Sequence, residues 1–278
     1  VHYLGSNKFF SFIIDEKYGG NRLSVNAQSR ILSKFASKNP SLGVVVMVPN
    51  SLGPGELLTH YGTEAQKNLY LPKLSNGESI PCFGLTGPNN GSDAAGSIDV
   101  GTIKMKNGKR IVEIKLNKRY ITLAPVSNLA GIAFRLKDPD NLLDEGKEGI
   151  TVALLELPYD GLSNDTCHNP LDAGFPNGTL KGSIEIDLDK IIGGEKEAGN
   201  GWKMVFSDAL IANQNKNGLW DACGQLPAQK RPVAETNRVS SMWVMLALLR
   251  QGYRMQEFEP DLMVFKNTAA VSTECCAA

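Results

Sequence analysis

The chain has 278 residues, 42% of them hydrophobic and 21% charged, with 29 Lys and Arg balanced by 29 Asp and Glu. That length suits one large globular domain or two modest ones. A net charge of zero argues against nucleic acid or an anionic membrane surface as partner, and the longest apolar run, Leu42 to Val48, is too short to cross a bilayer.

Residues 1–75 read as helical. Asp15-Glu16-Lys17-Tyr18-Gly19-Gly20 is a polar turn that breaks one helix from the next. Asn26 to Lys38 carries Ile31, Leu32 and Phe35 on one face. Leu42 to Val48 is apolar on all sides and reads as buried. Thr63-Glu64-Ala65-Gln66 is a capping box, opening a helix expected to run through Tyr70 and to stop near Pro72.

From Ile80 the period changes from helical to two. Thr102 to Met105 and the alternating Val112, Ile114 and Leu116 flank Asn107-Gly108, a tight hairpin signal. Further strands are expected at Arg119 to Ala124, Leu129 to Leu136, Gly149 to Leu157 and around Ile184 and Ile186. Strands at this spacing suggest an antiparallel β-barrel or sandwich. Trp202, Val205, Phe206 and Ala209 then share one face of a helix predicted from Gly199 to Ala212. The fold class is therefore α+β and multidomain. An N-terminal helical domain spans 1–79, a middle β-domain 80–190 and the first helix of a C-terminal bundle 191–214, with a tail of 215–278 left unassigned.

Five scattered cysteines without a C-x-x-C pair read as reduced thiols in a cytosolic setting. Three histidines make a zinc cluster or a Ser-His-Asp site hard to build, so no metal is expected. Cys167-His168 reads as a loop pair without function.

The stretch Pro81-Cys82-Phe83-Gly84-Leu85-Thr86-Gly87-Pro88-Asn89-Asn90-Gly91-Ser92-Asp93 starts as a strand and breaks into a polar loop. Its backbone N–H groups and short side chains suit a phosphate or another anion, although neither a Rossmann turn nor a Walker lysine is present. Phe83 to Asp93 resembles the [FY]-x-[LV]-T-x-P-x-x-G-S-D signature of acyl-CoA dehydrogenases. Three more stretches resemble the large bacterial enzymes of that family that act in fatty-acid β-oxidation. They are Val48 to Leu58 with Tyr61-Gly62-Thr63-Glu64 and Gln66-Lys67, then Asn117-Lys118-Arg119-Tyr120-Ile121-Thr122-Leu123-Ala124-Pro125, and last Ile191-Ile192-Gly193-Gly194 with Ala198 to Met204. The four stand in register from about residue 9 to residue 212.

The resemblance implies FAD as cofactor. Phe83, Leu85 and Thr86 would line the flavin and its ribityl chain. Gly91 and Ser92 would sit near the pyrophosphate, with Ser92 also near the acyl-CoA. Tyr120 would pack on the isoalloxazine, with Ile121 beside it and Thr122 bonded near N5. It also implies α,β-dehydrogenation of fatty acyl-CoA to trans-2-enoyl-CoA, an electron-transfer flavoprotein as electron acceptor, and a homo-oligomer at full length. The location expected is cytoplasmic, with membrane association of the full-length protein left open. A non-catalytic flavin or acyl-CoA binding module and a same-fold flavin oxidase or monooxygenase are the rival readings.

Two features depart from the pattern. Gly87 stands where the family usually has Glu or Ser, and is expected to loosen the turn. From Asn215 on, the resemblance ends. Glu235, Glu257, Glu259 and Glu274 fall in no matching motif, so no catalytic base is assigned. The start at Val1 reads as internal to a longer protein and the tail as a frame-shifted or misassembled stretch, so the chain is expected to be a truncated copy with little activity alone.

Overall fold

The computed structural model describes residues 1–90, 99–144 and 146–207. The chain divides into two units, Val1–Met204 and Val205–Ala278, and nearly all described residues belong to the first.

Five α-helices precede the sheet among the described residues: α1 (His2–Ser6), α2 (Val25–Lys38), α3 (Pro40–Met47), α4 (Pro54–Tyr61) and α5 (Glu64–Ser75). Their starts are set by local chemistry. Ser24 Oγ accepts from Ala27 N at 3.3 Å and Asn39 Oδ1 from Leu42 N at 3.1 Å, each satisfying an orphan donor of a first turn. The polar turn at Asp15–Gly20 is a 3₁₀ turn, Glu16–Tyr18, closed by Gly19 at φ 81°. Buried Asn50 stitches the N-terminal segment to α3. Its Oδ1 accepts from Phe12 N at 2.7 Å, and its Nδ2 donates to Phe9 O at 2.6 Å and Val46 O at 2.9 Å.

The structure corrects three helical expectations. α5 continues through Pro72 to Ser75. Proline removes one N–H donor there, and burial of Tyr70, Leu71 and Leu74 outweighs that loss. α2 has no fully buried residue: Ile31, Leu32 and Phe35 are only half-buried, although Phe35 meets the Phe9 ring edge-on at 5.3 Å. α3 buries Gly43, Val45 and Val46 but leaves Met47 44% exposed. An open apolar groove of about 610 Å³ runs between α2 and α3, bordered by Leu32, Ala36, Val44 and Met47.

The capping box of α5 is present, and it does more than cap. Thr63 Oγ1 accepts from Gln66 N at 3.1 Å while Gln66 Oε1 accepts from Thr63 N at 3.1 Å. The same Gln66 Oε1 accepts from Gly193 N at 3.0 Å, and Nε2 donates to Asp189 O at 2.9 Å and Ile191 O at 2.7 Å. One buried amide thus ties a helix start to the far end of the sheet region.

The strands are β1 (Pro81–Gly84), β2 (Val100–Lys106), β3 (Lys109–Thr122), β4 (Leu129–Lys137), β5 (Gly149–Glu156), β6 (Leu162–Ser163) and β7 (Asn177–Asp187), in one curled sheet. The Asn107-Gly108 hairpin is as expected, both residues having positive φ, 51° and 75°. The sheet is mixed, not wholly antiparallel, because β1 and β2 both pair in parallel with β4. The strand around Val112 and the one from Arg119 are a single strand, β3, with a register shift between Lys118 and Ile121 against β7. Ile103, Val112, Ile114, Leu116, Ile132, Phe134, Leu155 and Leu180 fill the core between the sheet's faces.

β1 and β2 share one lane of the sheet. β4 takes Pro81 to Gly84 along Leu129 to Ile132, and Val100 to Thr102 along Arg135 to Lys137. On the other side, β2 pairs with the first half of β3 and Thr86 meets its second half at Arg119. Past β1, the turn at Gly87–Asn90 departs from that lane. The described chain ends in a π-helical turn, Lys203–Ser207. The helix expected from about Gly199 starts at Gly201, after Gly199 at φ 79°, and its expected continuation to Ala212 lies outside the described residues.

Replacing Gln66 by Ala takes the partner from the buried Gly193 N–H, at about 1–3 kcal/mol for a buried group left unsatisfied, while Ile191 O keeps its bond from Gly194 N at 2.9 Å. Urea unfolding of the Q66A chain is expected to report a loss of roughly 1–3 kcal/mol at unchanged m-value.

Candidate functional site

The site grows from the way β3 changes face. Val112, Ile114, Leu116 and Lys118 are buried in alternation, as a half-buried strand demands. A bulge then follows: Tyr120 has φ 59°, and Arg119 and Tyr120 both face outward before Ile121 turns in again. Tyr120 is 51% exposed. Its ring lies 5.0 Å from the His168 ring and 4.6 Å from the Arg119 guanidinium carbon, and Arg119 donates to the Tyr120 hydroxyl at 2.9 Å. His168 Nε2 is held 2.8 Å from Thr179 Oγ1 on β7.

The end of β1 closes onto this bulge. Arg119 N donates to Thr86 O at 3.0 Å, and Thr86 Oγ1 donates to Arg119 O at 3.0 Å. Thr122, two residues beyond Tyr120, accepts from Asn177 Nδ2 at 3.4 Å, and its own hydroxyl donates to no acceptor among the described residues. Asn177 Oδ1 is buried with no partner among the described residues. Thr86, Tyr120 and Thr122 therefore share one corner of the sheet. Phe83 and Leu85 are half-buried on the opposite face of their strand from Cys82 and Gly84, with Phe83 close to Gly131 and the start of α4. The Ile121 side chain is 2% exposed and belongs to the core, so only its main chain faces the corner. Gly91 and Ser92 lie outside the described residues.

Beneath the corner is a buried ion pair. Lys118, 0% exposed, reaches Asp99 Oδ2 at 3.1 Å and donates to Leu85 O at 3.1 Å. Asp99 Oδ2 also accepts from Asn117 N at 3.1 Å. Burial pushes the Lys118 ammonium below the ordinary lysine range, and Asp99 opposes that push.

The turn Gly87–Asn90 is tighter than a loosened glycine would make it. Gly87 N donates to Asn90 O at 3.3 Å and Asn90 N to Gly87 O at 3.4 Å. A Cβ on Gly87 would fall 2.9 Å from Asn117 O, so the missing side chain is what allows this approach to β3.

Residues 1–78 match the family Acyl-CoA dehydrogenase, N-terminal domain, and an acyl-CoA dehydrogenase of Bacillus subtilis (strain 168) is 31% identical over 160 residues, 58% of this chain. The first 78 residues thus resemble the N-terminal domain of acyl-CoA dehydrogenases. The mitochondrial very long-chain specific acyl-CoA dehydrogenase of Macaca fascicularis is 25% identical over 212 residues, 76% of this chain. The chain spans 40% of the Bacillus subtilis relative's length and 31% of the macaque one's. Among solved structures, an acyl-CoA dehydrogenase complexed with FAD from Bacillus anthracis superposes with a TM-score of 0.63 at 21% identity, covering 78% of this chain and 35% of that one. This likeness supports the acyl-CoA dehydrogenase fold of helices followed by a curled mixed sheet.

Sequence reasoning left four participants of the corner unassigned: Lys118, Asp99, His168 and Asn177. Lys118 stands inside the quoted Asn117-Lys118-Arg119-Tyr120 motif, so a signal for it existed. His168, read as a loop residue without function, packs on Tyr120.

Cys82, next to Phe83, is fully buried with Ser127 Oγ 3.2 Å from its sulfur. Burial pushes its thiol from an ordinary 9.0 up to about 12. A raised folded-state pKa gives stability that is complete below the unfolded value and is lost as pH climbs through the folded one. The stability advantage of wild type over Cys82→Ala is therefore expected to shrink above pH 9.0 and toward pH 12, by about 1.4 kcal/mol per pH unit, in urea titrations run at stepped pH.

Proposed function

We propose that this chain supplies the flavin wall of an FAD-dependent enzyme that dehydrogenates fatty acyl-CoA to trans-2-enoyl-CoA. The observation that carries the reading is the β3 bulge, which presents an exposed aromatic ring beside two threonine hydroxyls at Thr86 and Thr122. The likeness to acyl-CoA dehydrogenases supports the cofactor, and the Bacillus anthracis neighbour was solved with FAD.

The residues present fit such a group. Tyr120 offers a flat face for stacking on an isoalloxazine. The Thr122 hydroxyl, without an acceptor among the described residues, would donate near the ring nitrogen, and Asn177 Oδ1, also unmet among them, is a second polar handle. Phe83, Leu85 and Thr86 would follow the ribityl chain, with the Ile121 main chain behind Tyr120. Gly91 and Ser92 keep their proposed place near the pyrophosphate and the acyl-CoA through the motif alone. When bound, FAD supplies the acceptor for the hydride that leaves the substrate's β-carbon. The α-proton needs a carboxylate base. Glu235, Glu257, Glu259 and Glu274 all lie outside the described residues, and none is assigned that role. An electron-transfer flavoprotein as electron acceptor and a homo-oligomer as the working assembly complete the proposal. Proposed in the same way are the division of the chain at residues 79, 190 and 214 and a cytoplasmic location.

FAD titrated into the purified chain is expected to lose fluorescence on binding. Tyr120→Ala is expected to weaken binding roughly 3–10-fold, from about 0.5–1.5 kcal/mol of lost ring stacking. A wild-type chain that leaves FAD fluorescence unchanged would sink the reading. Bleaching of the bound flavin by a long-chain acyl-CoA, with no oxygen consumed, separates a dehydrogenase from a same-fold oxidase.

A further inference from the structure

β1 and β2 lie in the same lane, and both run parallel to β4. Their facing ends are Leu85, just past β1, and Asp99, just before β2. The chain turns out of the lane at Gly87–Asn90. A broken lane leaves main-chain groups without a strand partner in the interior, and such groups need another donor or acceptor. Lys118, from the neighbouring strand, meets both ends at once: its ammonium donates to Leu85 O and pairs with Asp99 Oδ2, each at 3.1 Å. Asp99 is itself fixed from two sides, its carboxylate accepting from Asn117 N at 3.1 Å and its carbonyl from Arg135 N at 2.7 Å.

The lysine stem passes under Gly84. A Cβ there would meet Lys118 Cγ at 3.3 Å and Leu180 Cδ1 at 3.0 Å, so the glycine leaves the passage open. The clamp lies one residue from the crossing where Thr86 and Arg119 exchange two hydrogen bonds, and two residues from Tyr120.

We propose that Lys118, with Asp99, is a positioning residue for flavin binding: by pinning Leu85 and Asp99 to β3 it fixes Thr86 relative to Tyr120 and Thr122. This rests on the flavin reading above. The pair touches neither cofactor nor substrate in that reading; it acts through Thr86 and the β3 bulge. An ion pair of purely structural importance would show only in unfolding. A positioning pair shows in the affinity and the asymmetric environment of bound flavin in a chain that remains folded.

The test is FAD titration of the wild-type chain, of the neutral double variant Lys118→Met with Asp99→Asn, and of Lys118→Arg. Flavin fluorescence gives the Kd, visible circular dichroism gives the environment of the bound flavin, and urea midpoints are taken on the same samples. The double variant removes both charges together, which avoids stranding either one in the interior. Its Kd is expected to rise by about tenfold or more, with altered flavin dichroism, while Lys118→Arg, which keeps the cation and its donors, stays within about threefold of wild type. A wild-type Kd and dichroism in the double variant overturns the proposal. Should that variant not fold, Asp99→Asn alone decides by the same readouts, since it keeps the side-chain shape and the acceptor for Asn117 N–H. A wild-type chain that binds no FAD defeats the flavin reading itself, and that result is distinct from a wild type that binds and a variant that binds equally.

Discussion

Much of this structure follows from a broken lane. Two short strands, not one continuous strand, occupy the space between β4 and β3. An unbroken strand would pair its own carbonyls. Here the Leu85 carbonyl accepts from the Lys118 ammonium at 3.1 Å and from Asn90 Nδ2 at 3.3 Å, and the ammonium is neutralised by Asp99 at the start of the next strand. Burying that pair carries a desolvation penalty of several kcal/mol per ion, offset only by close geometry and further hydrogen bonds. Asn117 N and the Leu85 carbonyl supply those further bonds. An apolar residue at position 118 would avoid the desolvation but could not donate to the carbonyl.

That clamp makes a demand on β3. Lys118 must point inward, and in a regular strand Tyr120, two residues on, would point inward as well. An inward Tyr120 would crowd the core and leave no ring facing out. The bulge resolves the conflict by placing Arg119 and Tyr120 on the same outward side before Ile121 returns to the core. The buried ion pair and the exposed ring are thus compatible only because one residue adopts a left-handed backbone. Thr122, beyond the bulge, falls beside the ring instead of one pleat away from it.

The sequence made the regular parts legible and the irregular ones opaque, for identifiable reasons. Asn107-Gly108 announces its turn because positive φ at two successive positions selects those residue types. Thr63 and Gln66 announce a helix start because both side chains are spent on orphan N–H groups. The second task of Gln66, reaching Asp189, Ile191 and Gly193, was invisible because it depends on residues more than a hundred positions away. The bulge was hidden for a different reason. Alternation up to Leu116 and a second apolar set from Ile121 read as two strands when one residue of phase is inserted between them. Lysine in a strand reads as solvent-facing, and nothing local marks Lys118 as buried. α2 shows the opposite failure: its apolar stripe at helical spacing predicts burial, and the described residues cover it only in part. The family motifs brought Thr86, Tyr120 and Thr122 to notice, but sequence alone could not say that they meet.

Backbone strain adds an argument of its own for this corner. A left-handed conformation at a residue with a Cβ costs about 1–2 kcal/mol. Leu123, at φ 67°, is fully buried, and burial of a leucine side chain returns about 1.5–3 kcal/mol, enough to offset the strain. Tyr120, at φ 59°, has no such compensation, because half of it remains in solvent, against a guanidinium and an imidazole. Folding alone would favour a smaller or more polar residue there, or glycine, which takes that φ without strain. A bulky aromatic kept in a costly backbone conformation and left half-exposed is better accounted for by what it meets than by what it buries. Tyr120 differs in this from Leu123, three residues on and just past the end of β3, whose strain is offset by burial.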